Sequence, residues 1–201
     1  MKGLRIKFTS VGDKKVGKTT FATKFGKTTP ENNIGLETFK VNYQKEGEIF
    51  IFEIIDTPSE GFLLSIEDGI EKSNFVIIIF DITNRDSFIS VNNWINICNK
   101  SKNKNINLIL VGNKKDIELD RKVTTEEAKK LAKKNSMKFY EISAYNEIEV
   151  GKIFKDGFND FYDSIEDNFD LNDSNMTKGE GSSKTITIFS DNNSNRNSCC
   201  W

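Results

Sequence analysis

The 201 residues contain no histidine, which excludes Ser-His-Asp and Cys-His nucleophilic machinery and any His-ligated zinc or iron centre. Cysteine is nearly absent as well. Cys98, Cys199 and Cys200 form neither a disulfide framework nor a zinc-ligand spacing, the usage expected of a reducing compartment. Neither sign of charge dominates: 29 Lys and Arg against 30 Asp and Glu leave a net charge of −1, without the basic excess that marks a nucleic-acid binder. A long apolar run is also missing. The longest, residues 75–80, is far short of the roughly 20 residues that cross a bilayer, and reads instead as a buried strand. The opening Met1-Lys2-Gly3-Leu4-Arg5 places charges where a secretory signal needs its apolar stretch. A protein kept in the cytosol is expected, with any membrane contact supplied by something attached to it.

What is present falls into two zones. At 22.9 kDa the chain has room for one full-sized domain and a modest extension. Residues 1–165 alternate apolar strands with amphipathic helices. Residues 166–201 turn to Asp, Asn, Ser and Gly, a composition that predicts a disordered tail. From Asp163 on there are three basic and seven acidic residues, so the folded part is mildly basic and the end acidic. The segment Leu4–Val11 alternates Leu4, Ile6 and Phe8 with polar residues and runs into a Gly-containing loop, as a strand entering a turn does. Residues 39–41 and 49–55 read as a hairpin around Glu46-Gly47. Segments 75–80, 108–111 and 138–142 read as short apolar strands. Between them, Phe88, Val91, Trp94, Ile95 and Cys98 share one helical face, which places Trp94 and Cys98 in the core. Thr124-Thr125-Glu126-Glu127 is a capping box, and Val150, Phe154, Phe158, Phe161 and Ile165 form a last apolar stripe. Strands alternating with helices predict a mostly parallel α/β domain with its ligands at the carboxyl ends of the strands.

The chemistry-bearing residues lie where that architecture wants them. Gly12-Asp13-Lys14-Lys15-Val16-Gly17-Lys18-Thr19 satisfies the phosphate-loop pattern GxxxxGK[ST] between a predicted strand and a predicted helix. Such a loop turns backbone N–H groups toward a phosphate chain, and the helix start, Thr20 included, adds its positive dipole end. Lys18 would neutralise the β- and γ-phosphates and the Thr19 hydroxyl would ligate Mg²⁺. The strand at 108–111 ends in Asn113-Lys114-Lys115-Asp116. An Asp there can accept from the N1–H and 2-amino group of guanine, which adenine lacks. Another strand ends in Ser143-Ala144-Tyr145, whose backbone N–H groups can reach the guanine O6. A further strand ends in Asp56-Thr57, where a carboxylate can hold Mg²⁺ through water.

Taken together, Lys18-Thr19, Asp56-Thr57, Asn113-Lys114-Lys115-Asp116 and Ser143-Ala144 resemble the guanine-nucleotide elements of the Ras-like small GTPases. Residues 34–39 (Ile-Gly-Leu-Glu-Thr-Phe), residues 80–88 from Phe80-Asp81 to Ser87-Phe88, Trp94-Ile95 and the terminal Cys199-Cys200 are most similar to the Rab branch. The resemblance spans about residues 4–165 and the last three positions. It implies a P-loop G domain, a mostly parallel six-stranded sheet with helices on both faces, with GTP, GDP and Mg²⁺ as ligands. It also implies effectors in vesicle traffic, an exchange factor, and escort and GDP-dissociation-inhibitor proteins. The implied location is the cytoplasmic face of membranes, with a cytosolic pool. The double cysteine resembles the ends that Rab proteins have geranylgeranylated, because Ser198 stands where a C-a-a-X box needs its cysteine. Two chains would anchor stably where one is marginal.

The departures from the family pattern concern the γ-phosphate. The family's Asp-Thr-Ala-Gly-Gln-Glu stretch is Asp56-Thr57-Pro58-Ser59-Glu60-Gly61 here, so Glu60 stands at or beside the Gln that orients the attacking water. A carboxylate adds negative charge where charge already accumulates in phosphoryl transfer. Asn33 replaces the switch Thr as a Mg²⁺ ligand, and Lys14 and Lys15 replace small loop residues. The expectation is a nucleotide-binding switch whose hydrolysis is weak or partner-dependent. The alternative is a scaffold that keeps the fold without switching.

Overall fold

The computed structural model describes residues 4–26, 31–33, 36–57 and 63–173. Seven strands form one sheet: β1 (Leu4–Val11), β2 (Glu31–Asn33), β3 (Leu36–Lys45), β4 (Glu48–Asp56), β5 (Phe75–Asp81), β6 (Asn107–Asn113) and β7 (Lys138–Glu141). They lie in the order β2-β3-β4-β1-β5-β6-β7. From β4 to β7 every pairing is parallel, while β2–β3 and β3–β4 are antiparallel. The six strands expected from the sequence are therefore joined by a three-residue edge strand that carries Asn33. A segment so short and polar, Glu-Asn-Asn, has no alternation to betray it. The helices are α1 (Lys18–Phe25), α2 (Leu63–Glu71), α3 (Arg85–Ile89), α4 (Val91–Lys100), α5 (Thr125–Lys134) and α6 (Glu147–Asp173), with a 3₁₀ turn at Lys115–Asp120.

Period-two alternation assigns the two faces. In β5, Phe75, Ile77 and Ile79 face the layer of α1 and α6, whereas Val76, Ile78 and Phe80 face that of α2 to α5. All seven residues of β5 are buried, because the strand is central and covered on both sides. The α1/α6 layer is rich in rings: Phe8 stacks on Phe75 and meets Phe154 edge-on, both at 4.8 Å between centroids. Phe25 packs against Phe154 in the same layer. Burying each such ring contributes on the order of 2–3 kcal/mol.

The hairpin turns at Glu46-Gly47, both with positive φ (53° and 84°), the conformation a tight two-residue turn requires. The apolar stripe over residues 88–98 is divided between α3 and α4 at Ser90, with Phe88 before the break and Val91, Ile95 and Cys98 after it. The capping box is formed: the Thr124 hydroxyl accepts from Glu127 N at 3.2 Å, and Thr124 N donates to Glu127 Oε2 at 3.1 Å. Helix α6 continues to Asp173, past residue 165 where the sequence reading closes the globular part. Ser59, Glu60, Cys199 and Cys200 lie outside the described residues. The chain runs from β1 to β3 and β4 on one side and then crosses to β5 on the other. That reversal opens a crevice beyond the carboxyl end of β1.

Candidate nucleotide-binding site

The loop leaving β1 is shaped by its glycines. Gly12 has φ +148°, and a Cβ there would stand 2.2 Å from the Ile79 carbonyl oxygen of β5. Gly17 has φ +99°, and its Cβ would stand 2.3 Å from Asn113 Nδ2. Only a residue without a side chain lets the loop lie this close to both neighbouring strands. Lys15 also sits in the left-handed region, at φ +65°, where a non-glycine residue costs roughly 1–2 kcal/mol and is retained only under surrounding constraint. Lys14 and Lys15 are both exposed.

Helix α1 starts at Lys18 without a side-chain cap, and its first turn holds no acidic residue. Its leading N–H groups and positive dipole end therefore face the crevice. Lys18, only 5% exposed, curls back over the loop, its Nζ donating to the carbonyls of Gly12 (2.8 Å) and Asp13 (2.9 Å). Burial lowers its pKa, opposed by the charges of Asp56 and Asp13. Thr19 Oγ1 donates to Asp56 Oδ2 at 2.6 Å, and Ser10 Oγ donates to Asp56 Oδ1 at 3.3 Å. Thr57 is locked by its hydroxyl to Ser10 O at 2.6 Å.

The donor set fits Mg²⁺. Thr19 and Asp56 offer hard oxygens in direct contact, the kind of site in which Mg²⁺ takes one or two protein ligands and completes its shell with water and phosphate. Among the described residues no cluster of three or more Asp, Glu, Cys or His forms an all-protein cage. Asn33, the third expected ligand, is placed on β2 opposite Leu36 at the sheet edge.

At the other end of the crevice Asn113 is the hub. It is 2% exposed. Its Nδ2 donates to Val16 O at 2.8 Å and its Oδ1 accepts from Ala144 N at 2.8 Å. One side chain thus ties the phosphate loop, the end of β6 and the loop after β7. Lys114 takes the left-handed conformation, φ +70°, and its Nζ pairs with Asp81 Oδ2 at 2.6 Å. Asp81 is fixed in turn by Thr83, which donates from its N–H (2.9 Å) and hydroxyl (2.8 Å). Asp116 is exposed in the 3₁₀ turn, and no side-chain hydrogen bond or ion pair engages it among the described residues. Ser143 N donates to Glu149 Oε2 at 2.9 Å and Tyr145 is 71% exposed.

The structure therefore brings together at one edge of the sheet residues 12–20, Asp56, Asn113, Lys114, Asp116 and 143–145. Two contacts to this edge are not read from the sequence. Asp81 carries part of the resemblance there, yet it also buttresses Lys114. Trp94 is read as core, yet its indole N–H donates to Asp13 Oδ1 at 2.9 Å. An apolar stripe shows which face a residue occupies, but not which loop its polar tip meets.

Comparison with known proteins agrees with this arrangement. Residues 7–163 match the model of the Ras family. The chain is 32% identical over 168 residues to Ras-related protein Rab-2B of Dictyostelium discoideum, covering 81% of this chain and 83% of that protein. It is 33% identical over 156 residues to Ras-related protein RHN1 of Nicotiana plumbaginifolia, covering 75% and 78%. To Ras-related protein Rab-13 of Rattus norvegicus it is 29% identical over 155 residues, covering 74% and 76%. Matched over most of its length, the chain belongs to the Ras family, as a divergent Rab-like small GTPase.

Proposed function

We propose that the protein is a guanine-nucleotide-binding switch that acts at intracellular membranes and hydrolyses GTP slowly unless a partner assists. The observation that carries the reading is the Asn113 hub, which ties the phosphate loop and the base loops into one frame. In that frame the uncapped start of α1 and the N–H groups of residues 13–18 bind the phosphate chain. Lys18, held by the carbonyls of Gly12 and Asp13, would present its remaining ammonium hydrogen to the phosphate oxygens. Asp116 would accept from the guanine N1–H and 2-amino group, and a backbone N–H of the loop at 143–145 not taken by Asn113 would reach O6. Thr19 and Asp56, with Asn33, would hold Mg²⁺, which when bound neutralises charge between the β- and γ-phosphates.

Slow hydrolysis is supported by sequence and charge. Ser59 and Glu60 stand where the family has its Gly and Gln, and Glu60 is a poor group to orient water beside an anionic phosphoryl group. Lys14 and Lys15 bring bulk and charge to the loop that borders the same phosphate. Membrane attachment is assigned to lipid on Cys199 and Cys200, served by an escort protein. Effectors, an exchange factor and a GDP-dissociation inhibitor would be the remaining partners. Among the described residues no helix is long and apolar enough to cross a membrane.

The test is the nucleotide carried by protein purified without dialysis, released by denaturation and resolved chromatographically. Near-stoichiometric GTP is the expected result. Predominant GDP would overturn slow hydrolysis, and the absence of guanine nucleotide would favour a scaffold without a switch.

A further inference from the structure

We infer that Trp94 is a positioning residue for nucleotide binding, its indole N–H holding the Asp13 carboxylate clear of the phosphate chain. The inference rests on the reading of residues 12–19 as a phosphate loop. Asp13 is the single acidic residue in that loop, beside three lysines. Its carboxylate is a misplaced charge there: a negative group free to swing toward the bound anion repels it, most strongly where the site excludes water. The same residue is needed for its backbone, because the Asp13 carbonyl accepts from Lys18 Nζ at 2.9 Å. The loop therefore has to keep residue 13 in place while directing its side chain elsewhere.

Trp94 meets that need. It lies on α4, with its ring packed against the buried cluster that includes Val91, Ile95 and Phe88. Its Nε1 reaches Asp13 Oδ1 at 2.9 Å. An indole can only donate, so it pairs with an acceptor such as the carboxylate and not with the lysines of the loop. It is also uncharged, and it fixes the direction of the carboxylate without adding a second cation to compete with Lys18. A ring with two rotatable bonds, half-buried against the core, holds that direction at little entropic cost. The contact couples α4 to the first residue after Gly12, so the position of α4 is felt at the phosphates.

The test uses the full chain with Trp201→Phe, which leaves Trp94 as its one tryptophan. Release of a fluorescent GDP analogue should be about tenfold faster with Trp94→Phe, the effect of losing one charge-assisted hydrogen bond. In an Asp13→Asn background, where no charge remains to be restrained, adding Trp94→Phe should change release by less than about twofold, whatever Asp13→Asn does alone. Should Trp94→Phe not fold, Trp94 emission supplies an independent reading. Asp13→Ala removes the indole's partner and shifts the spectrum, while Asp13→Asn keeps an acceptor oxygen and leaves it in place. Equal acceleration in both backgrounds, no acceleration, or equal spectra for the two Asp13 variants overturns the inference and leaves the nucleotide reading intact. No binding of the analogue by the chain with Trp94 and Asp13 intact overturns the nucleotide reading, and this inference with it.

Discussion

Helices α1 and α5 begin with the same physical problem and answer it in opposite ways. Each start leaves backbone N–H groups without intrahelical partners. At α5 the chain supplies its own partners: Thr124 and Glu127 close a reciprocal capping box, and Glu126 and Glu127 set negative charge against the dipole. At α1 it supplies none. The residue before the helix is Gly17, the first turn has no acidic side chain, and Lys18 at its head turns a buried cation back onto the Gly12 carbonyl. A helix start left open to solvent, with a lysine folded over it, is poorly suited to the unliganded molecule and well suited to an anion. The contrast points to the same edge of the sheet that the proposed function uses.

The largest expected effect separates the two helix starts directly. Saturating GDP with Mg²⁺ at a thousandfold excess over its Kd should stabilise the protein by about 4 kcal/mol through binding to the native state alone. Lys18→Met should abolish that gain. Lys18→Met leaves the Gly12 carbonyl without its donor but also removes a desolvated charge, so ligand-free stability should fall by only about 1–2 kcal/mol. Denaturant titration with and without nucleotide measures both quantities. A large loss of ligand-free stability would mean that the open end of α1 is structural after all.

Asn113→Ala should behave differently, because Asn113 serves both the frame and the site. Its removal strands the Val16 carbonyl and the Ala144 N–H in a buried position, at a cost of about 3 kcal/mol without ligand. Nucleotide affinity should fall as well, since the phosphate loop and the Ala144 loop lose their common anchor. If the ligand-free protein kept its denaturation midpoint, the hub would be dispensable and the two loops would be held by their strands alone.

A smaller effect is expected at the capped end. Thr124→Ala should cost about 1 kcal/mol of stability and leave nucleotide release unchanged, measured by denaturation and by dissociation of a fluorescent GDP analogue. Any change in release would show that α5 communicates with the site.

How much of this was legible in the sequence follows from the kind of signal each element carries. The central strands were readable because residues 75–80 are apolar without interruption, and a strand buried on both faces demands that. The capping box was readable from Thr124 and Glu127 because its partners lie three residues apart. The grouping of Gly12–Thr19 with Asp56, Asn113 and Ser143–Ala144 followed from the rule that ligands gather at carboxyl ends of parallel strands. The bond from Asn113 to Val16, across 97 positions, carries no local trace. Nor does the bond from Trp94 to Asp13, across 81. Such long-range polar contacts depend on which helix faces which loop, and periodicity leaves that undetermined. The edge strand β2 escaped for the opposite reason: three polar residues gain their strand conformation from β3, not from their own pattern.

The smallest effect is a pH dependence confined to the self-capped helix. The Glu127 carboxyl is pulled down to about 2, chiefly by its hydrogen bond to the Arg85 guanidinium, with the Thr124 N–H and hydroxyl adding to the shift. A carboxyl whose folded pKa lies below its ordinary value binds fewer protons folded than unfolded. Its contribution to stability is therefore present above the ordinary carboxylate range and lost as pH falls through about 2. The stability difference between the parent protein and Glu127→Gln should hold constant above that range and shrink from there downward. Subtracting the two curves removes every group they share. Nucleotide release at neutral pH should be the same in both, because Glu127 meets its charge in Arg85, away from residues 12–20. A difference curve that stayed flat into acid would mean that the Arg85 contact contributes nothing in solution, and that α5 is closed by Thr124 alone.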